Sequence, residues 1–317
     1  MKKSKPRSYE VRVPASSANL GAGFDCFGLA LELFLTVRAT VHSEPGARSE
    51  ARTSGVDGSE TLPSAPEANL ILRAMQHAAE RHGLHLPPVH LSVQNQIPIA
   101  GGLGSSAAAI VAGTALGFAV CGEKLTEENA LRLAAEMEQH ADNVGAALLG
   151  GLVVSFVAAG GNVVALRKNW PKKIRVIAVT PKMTLQTAAS RAALPQTIEL
   201  AAGVHNLQRS ALFLAALDAR RYDLLWDAMQ DRLHQSYRQA LIPGLTEVLA
   251  TSRMPGLLGV ALSGAGPTVI ALATSNFAQI GKAIAGHFER KGLSSIVRNL
   301  AVAQQGIRVA GKSLAKK

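Results

Sequence analysis

Aromatic side chains are scarce in this sequence, at 4% of its 317 residues. Proteins that bind RNA or single-stranded DNA stack bases on Phe, Tyr or Trp rings, so this composition disfavours that class of protein. Cysteine is scarcer still, because only Cys26 and Cys121 are present. Two cysteines cannot build a disulfide framework, and without a CxxC pair they do not indicate a zinc knuckle.

Long hydrophobic segments are missing as well. The longest apolar run, residues 107–122, contains a GxxxG pattern between Gly113 and Gly117. This run is shorter than the roughly 18–20 residues that span a bilayer. No apolar segment follows the basic residues 2–7, so we expect no secretory signal. Together these absences predict a cytoplasmic protein without a membrane partner.

Acidic residues are outnumbered by basic ones, 22 to 33, and the net charge is +11. An excess of basic residues of this size makes nucleic-acid binding one alternative function. Eight of the basic residues, however, lie in residues 1–8 and 306–317, which contain no acid, so residues 9–305 carry only +3. A body this close to neutral is ordinary for a soluble enzyme, and we expect no nucleic-acid partner.

Apolar residues make up 48% of the chain, which is enough for a sizeable core. Segments with strand-like alternation and segments with helical spacing alternate along the whole sequence, so the predicted class is α+β. A polar stretch, KNWPKK at residues 168–173, interrupts this pattern. We therefore predict two domains, residues 1–170 and residues 171–317.

Several local signals predict where segments begin and end. Residues 43–67 are rich in Ser, Gly, Pro and Glu, which favours an exposed, mobile excursion. Asn69 and Thr126 each precede a helical pattern and are good N-caps. In the second half of the chain, the spacing predicts helices over residues 197–220 and 222–235.

The strongest local signal is a glycine-rich loop, PIAGGLGSSAA at residues 98–108. Its glycines let the backbone approach an anion closely, and Ser105 and Ser106 stand where a long Ala-rich helix begins. The free N–H groups and the dipole of that helix favour a phosphate. The loop is neither GxxxxGK[ST] nor a dinucleotide fingerprint, and a plain turn that leads into a core helix is the alternative interpretation.

Two further segments accompany this loop. Residues 14–25 read PASSANLGAGFD, and residues 262–269 read LSGAGPTV. In order and spacing, over nearly the whole chain, the three segments resemble the three motifs of the GHMP kinase superfamily. PASSANLGAGFD with the residues after it, and HADNV at residues 140–144, are similar in particular to the branch that phosphorylates L-homoserine.

The resemblance implies an N-terminal domain like the second domain of ribosomal protein S5 and a C-terminal ferredoxin-like domain. It also implies ATP and Mg²⁺ as cosubstrates, L-homoserine as the small-molecule substrate, O-phospho-L-homoserine as the product on the route to threonine, and a homodimer. Neighbouring small-molecule kinases that act on mevalonate or shikimate are the alternative function within the superfamily.

By the same resemblance, the glycine-rich loop wraps the phosphates of ATP. Ser106 and Glu138 would hold Mg²⁺, which prefers oxygen ligands. Gly101 departs from the pattern, because relatives often carry a larger side chain there. The predicted phosphate-binding residues are Pro98, Ile99, Ala100, Gly101, Gly102, Leu103, Gly104, Ser105, Ser106, Ala107 and Ala108.

Homoserine is a zwitterion with a hydroxyl group, so its pocket needs an anion, a cation and polar groups. The resemblance assigns Asp25 to the ammonium group, and either Arg191 or Arg238 can grip the carboxylate in bidentate fashion. The remaining predicted substrate-binding residues are Asn19, His140 and Asn143.

The proton acceptor is not evident from the sequence. Asn143 stands where some members of the superfamily carry Asp, and an amide cannot accept the substrate proton as a carboxylate would. Asp142 is adjacent, and we expect it to point elsewhere. We therefore predict phosphoryl transfer without a dedicated base, with Asn143, Ser106 and Glu138 as the catalytic residues. The sequence does not identify the adenine pocket, and Asn69 and residues 43–67 are the candidates for lining it.

Overall fold

The structure is a computed structural model that describes residues 7–42, 47–55, 63 and 65–310. Within these residues the strands are β1 (Ser8–Ala18), β2 (Phe27–Val41), β3 (Glu50–Gly55), β4 (Val89–Asn95), β5 (Leu152–Val157), β6 (Val163–Lys168), β7 (Arg175–Pro181), β8 (Leu257–Leu262), β9 (Val269–Ala273), β10 (Ser295–Leu300) and β11 (Arg308–Val309). The helices are α1 (Leu70–Arg81), α2 (Ser105–Cys121), α3 (Glu127–Glu138), α4 (Asp142–Leu149), α5 (Thr187–Ala192), α6 (Leu200–Asp218), α7 (Leu225–Ala228), α8 (Gln235–Arg238), α9 (Leu245–Leu249) and α10 (Phe277–Glu289), with 3₁₀ turns at Tyr222–Leu224 and Gln239–Leu241.

The strands of the described residues form two sheets. The first has the order β11-β1-β2-β4-β3, and the β5–β6 hairpin extends it through pairing of β5 with β2. All of its pairs are antiparallel except β3 with β4. The second sheet is antiparallel throughout, with the order β10-β7-β9-β8. Helices and strands of both sheets contribute to one large apolar core, and the second sheet forms a further core with α9 and α10. The predicted α+β class is confirmed.

The segment predicted as a mobile excursion contains a strand. Glu50–Gly55 pairs in parallel with β4 at the edge of the first sheet, with Ala51 opposite Leu91. The prediction missed this strand because EARTSG has no alternation of apolar residues, and pairing with β4 rather than local propensity selects the extended form. Residues 43–46, 56–62 and 64 of the same segment lie outside the described residues.

The GxxxG pattern of α2 brings two helices of the same chain together. A Cβ on Gly113 would lie 2.3 Å from the Ile71 carbonyl oxygen, and one on Gly117 would lie 2.9 Å from the Met75 carbonyl oxygen. Only glycine therefore allows α1 to approach α2 this closely. Nearly every residue of α2 is buried. No helix in the described part of the chain is long and apolar enough to cross a membrane.

The end of the described chain returns to the first sheet. Val302 forms an isolated bridge with Leu31, and Val309 in β11 pairs with Val11 in β1. The division of the chain at residue 170 stays a prediction. The basic ends that dominate the net charge lie mostly in residues 1–6 and 311–317, which are outside the described residues.

The predicted helix over residues 222–235 is wrong. A 3₁₀ turn and the four-residue α7 are followed by an irregular segment that ends at α8. Both carboxylate oxygens of Asp231 accept hydrogen bonds from the backbone N–H groups of Leu233, His234 and Gln235. An Asp that satisfies three successive N–H groups stabilises a turn, and periodicity does not reveal such a turn.

Candidate active site

The three motif segments are far apart in sequence but line one cavity of about 230 Å³. The first motif begins in β1 and extends beyond its end, the glycine-rich loop leads into the first turn of α2, and the third motif connects β8 to β9. Predicted site residues that line this cavity are Asn19, Asp25, Ile99, Ala100, Gly101, Gly102, Gly104, Ser105, Ser106, Glu138, His140, Asn143, Arg191 and Arg238. Four predicted loop residues are not among the lining residues: Pro98, Leu103, Ala107 and Ala108, of which the last three are fully buried in the core.

The third motif supports the glycine-rich loop from behind. The Ser263 hydroxyl donates to the Gly102 carbonyl oxygen at 2.6 Å, and the Thr268 N–H donates to the Gly101 carbonyl oxygen at 3.2 Å. A Cβ on Gly102 would lie 2.7 Å from the Ser263 carbonyl oxygen, and its φ is +80°. A Cβ on Gly101 would lie 2.7 Å from the Pro98 Cβ, so a larger side chain there needs a shifted loop. The third motif thus fixes the shape of the loop.

The N-terminus of α2 is built to receive an anion. Its N-cap is Gly104, which has φ +68° and, as glycine, contributes no capping side chain. The N–H groups of the first turn therefore have no side-chain acceptor, and the dipole of this 17-residue helix adds positive potential. Gly104, Ser105 and Ser106 line the cavity, so a phosphate group fits at this helix end.

Ser106 and Glu138 meet beside this helix end. The Ser106 hydroxyl donates to Glu138 Oε1 at 2.6 Å, although the residues lie at the start of α2 and the end of α3. Burial raises the pKa of the Glu138 carboxyl, and the hydrogen bond from Ser106 and the charge of Arg191 act in the opposite direction. A hydroxyl and a carboxylate are the oxygen ligands that Mg²⁺ prefers, and a cation would offset the burial of this carboxylate. The pair therefore fits a Mg²⁺ ion.

Charged and polar residues assigned to the amino acid form a wall of the same cavity. Asp25 accepts two hydrogen bonds from Arg191, at 2.6 and 3.1 Å. Asn19 Oδ1 accepts from the Asp25 N–H, and Asn19 Nδ2 donates to the Gly264 carbonyl oxygen. The two residues of the first motif are thus tied to α5 and to the third motif. Burial and Arg191 lower the pKa of His140 at the same wall, which favours the neutral ring.

Arg238 is almost completely buried beneath this wall. Its Nη1 donates to the Gly264 carbonyl oxygen and to His234 Nδ1, both at 3.0 Å, and its Nε donates to the Ser190 carbonyl oxygen. Burial and the charge of Arg191 lower its pKa to about 10, so it stays a cation at neutral pH. The ring of Phe24 stacks on His234 at 5.1 Å and lies 5.7 Å from the Arg238 guanidinium.

Asp142, which we expect to point elsewhere, is also among the residues that line the cavity. Its Oδ1 accepts from the Asn143 N–H at 2.6 Å, which turns the carboxyl back over the start of α4. Burial is the main reason why its pKa rises to about 7, and the charges of Asp25 and Glu138 raise it further. Sequence reasoning also missed Ser16 and Phe24, although both belong to the first motif.

Comparisons with known proteins identify the family of this chain. The family model described as GHMP kinases N terminal domain matches residues 69–151, and the model described as GHMP kinases C terminal matches residues 213–290. The chain is a GHMP kinase. Curated homoserine kinases from Moorella thermoacetica and Saccharomyces cerevisiae are 41% and 36% identical to it, over 93% and 96% of this chain and 98% and 99% of theirs.

Solved structures lead to the same family. A crystal structure of homoserine kinase from Cytophaga hutchinsonii superposes with a TM-score of 0.83 at 29% identity, covering 98% of this chain and 99% of that one. Within the GHMP kinases, the chain belongs to the homoserine kinase family. The resemblance drawn from the three motifs is therefore confirmed.

Proposed function

We propose that this protein transfers the γ-phosphoryl group of ATP to the side-chain hydroxyl of L-homoserine and so makes O-phospho-L-homoserine for threonine biosynthesis. The observation that carries the proposal is the pairing, within one cavity, of an uncapped helix N-terminus with a half-buried wall that contains the Asp25–Arg191 pair. The helix end fits the phosphates, and the wall fits an amino-acid zwitterion.

Residues 100–106 would bind the phosphates of ATP. The glycines let the backbone approach the phosphates, and the first turn of α2 donates its N–H groups. Ser106 and Glu138 would hold Mg²⁺. When bound, Mg²⁺ neutralises charge on the phosphates and helps to align them for transfer.

The Asp25–Arg191 pair supplies both charges that a zwitterion needs. The homoserine ammonium would take Asp25 as its acceptor, and the carboxylate would take Arg191 as its donor. Arg238 adds a second positive charge. Its Nη2 atom has no hydrogen-bond partner among the described residues. Asn19, His140 and Asn143 complete the polar wall, with His140 and Asn143 assigned to the hydroxyl end.

The nucleoside of ATP would lie in a neighbouring groove between α1 and α3. This groove shares Leu70 and Glu138 with the cavity and is also lined by Ser49, Pro66 and Arg73. The candidate residue Asn69 serves another purpose. Its Oδ1 accepts from the N–H groups of the first turn of α1, and its Nδ2 donates to the Pro63 carbonyl oxygen at 2.6 Å. Asn69 therefore shapes the groove from beneath as the N-cap of α1.

No dedicated base is assigned to the reaction. Asn143 carries an amide, and the Asp142 carboxyl faces the Asn143 N–H. In phosphoryl transfer, alignment of the hydroxyl with the phosphorus and neutralisation of charge are the dominant needs. The loop, the Ser106–Glu138 pair and Asn143 can supply both.

An ADP-release assay tests the proposed function. Purified protein, ATP and Mg²⁺ are combined in turn with L-homoserine, mevalonate and shikimate at equal concentrations. We expect the highest kcat/KM with L-homoserine and a phosphorylated amino acid as the product. Absence of turnover with homoserine, or faster turnover with mevalonate or shikimate, contradicts the proposal.

We further propose that the protein works in the cytoplasm as a homodimer, without a nucleic-acid partner. Supporting a dimer, α6 presents exposed apolar side chains at a spacing of four and then three residues, Leu200, Val204 and Leu207. Light scattering during gel filtration should give twice the 33.1 kDa chain mass. The variant Leu207→Glu should give the chain mass itself, and a wild-type protein of 33.1 kDa contradicts the dimer.

A further inference from the structure

The side-chain amide of Asn143 is held on two sides. Its Oδ1 accepts a hydrogen bond from the Ser16 hydroxyl at 2.8 Å. Its Nδ2 lies 3.3 Å from Asp142 Oδ1, which also accepts the Asn143 N–H at 2.6 Å. Ser16 and Asn143 are 127 residues apart, so this contact joins the first motif to the start of α4.

The partners fix which amide atom faces which way. Asp142 Oδ1 already acts as an acceptor, so a flipped amide would place one oxygen against another. The flip would also leave the Ser16 hydroxyl proton without its acceptor, and an unmade hydrogen bond at a buried group is costly. Ser16 is fully buried, whereas Asn143 is half-buried and lines the cavity. Nδ2 is the part of the amide that can donate to a ligand, because only one of its two hydrogens has a partner among the described residues.

The glycine-rich loop packs against the Ser16–Asn143 contact. The Ser16 N–H donates to the Leu103 carbonyl oxygen at 3.1 Å. A Cβ on Gly104 would lie 2.0 Å from Ser16 Oγ and 3.1 Å from Asn143 Oδ1. The Ser16 hydroxyl thus sits in a space that only a glycine at position 104 leaves open.

We propose that Ser16 is a positioning residue that holds the Asn143 amide with an Nδ2 hydrogen directed at the acceptor hydroxyl of the substrate. Because Ser16 holds Oδ1 and leaves a hydrogen of Nδ2 free, Asn143 acts as a hydrogen-bond donor to the reacting oxygen and not as a proton acceptor. This role rests on the proposed function, since it presumes a hydroxyl at that place.

The test compares Ser16→Ala with a matched control, Ser155→Ala. Ser155 is also fully buried on a strand of the first sheet and packs against Gly145 of α4, the helix that carries Asn143. Its hydroxyl has no hydrogen-bond partner among the described residues. We expect Ser16→Ala to lower kcat about tenfold, which is about 1.4 kcal/mol of barrier, with the KM for ATP and homoserine within about twofold. Ser155→Ala should leave kcat unchanged.

A double-mutant cycle separates positioning from a structural role. In an Asn143→Ala background, Ser16→Ala should have no further effect on kcat, because the group it positions is gone. Equal kcat for Ser16→Ala and Ser155→Ala, or an equal loss from Ser16→Ala in both backgrounds, overturns the proposal.

A second measurement does not depend on turnover, so failure of the proposed function stays distinguishable. The Asn143 side-chain amide is assigned by NMR from the signal that is lost in Asn143→Asp. We expect its hydrogens to exchange slowly with solvent in wild type and in Ser155→Ala, and at least tenfold faster in Ser16→Ala. Equal exchange in all three proteins shows that Ser16 does not hold the amide.

Discussion

Arg191 and Asp25 form a two-point ion pair across the cavity wall, with Nη2 2.6 Å from Oδ1 and Nη1 3.1 Å from Oδ2. The residues are 166 positions apart. Both are about one-third exposed, so the pair is open to a ligand that brings its own charges. An amino-acid zwitterion offers the aspartate a cation and the arginine an anion, so its binding replaces one ion pair by two.

Asp25→Asn should weaken homoserine binding without affecting ATP. The amide keeps the size of the carboxylate but loses the charge that the ammonium needs. A hydrogen bond to a charged group contributes about 1.5–3 kcal/mol, so the KM for homoserine should rise at least tenfold. Asp223→Asn is the control, because Asp223 makes a similar two-point pair with Arg221 on the exposed surface. Steady-state kinetics decide, and a rise in the KM for ATP alone would contradict the assignment.

Glu138→Gln should weaken the use of Mg²⁺·ATP. The amide accepts fewer and weaker metal contacts than a carboxylate, so the Mg²⁺ concentration for half-maximal rate should rise at least about tenfold, on the order of 1.4 kcal/mol. Glu127→Gln, at the exposed start of the same helix, should leave this concentration unchanged. A titration of the rate with Mg²⁺ measures both variants. Equal curves for Glu138→Gln and wild type would remove Glu138 from the metal site.

The residues of the site could be predicted to a large extent, but their contacts could not. Asn19, Asp25 and the loop carry motif signals, and the structure brings them to one cavity. A motif does not say which atoms meet, and the Ser16–Asn143 bond depends on how β1 and α4 pack. The sequence likewise does not reveal that the Asp142 carboxyl bends back to the Asn143 N–H.

The fold was predicted best where local preferences and packing agree. Thr126 and Asn69 cap their helices as expected, each through its own side-chain oxygen. The strand β3 escaped prediction, because its partner β4 lies about 40 residues further along the chain and its own residues carry no alternation. Periodicity reports the buried face of an element, so it fails for an edge strand and for the turn at Asp231.

Gly113→Ala should destabilise the protein, although alanine is the better helix former. The added Cβ would lie 2.3 Å from the Ile71 carbonyl oxygen, so α1 must move away from α2. Overpacking of this kind costs about 1–3 kcal/mol. Gly286→Ala, in α10, meets its first neighbour at 3.6 Å and should stabilise the fold by about 0.5–1 kcal/mol. Urea unfolding of both variants gives the comparison, and a shift of the same sign in both would contradict the packing role of Gly113.

Asp142 should make the stability of the protein fall as the pH rises through the weakly acidic range. Burial raises its pKa from 3.8 to about 7 in the folded state, so the folded protein binds this proton more tightly than the unfolded chain does. Its contribution therefore favours folding below about pH 4, is lost progressively up to about pH 7 and stays constant above that.

Asp142→Asn removes this titration while its amide oxygen can still accept the Asn143 N–H. Relative to wild type, the free energy of unfolding of this variant should increase between pH 4.5 and pH 7 by up to about 1.4 kcal/mol per pH unit. The control is Asp227→Asn, which changes an exposed aspartate whose Oδ2 lies 3.4 Å from Arg253 Nη2. Urea unfolding at pH 4.5, 6 and 8 measures the slopes. If wild type and Asp142→Asn lose stability with pH at the same rate, the buried carboxyl of Asp142 does not hold its proton in the folded state.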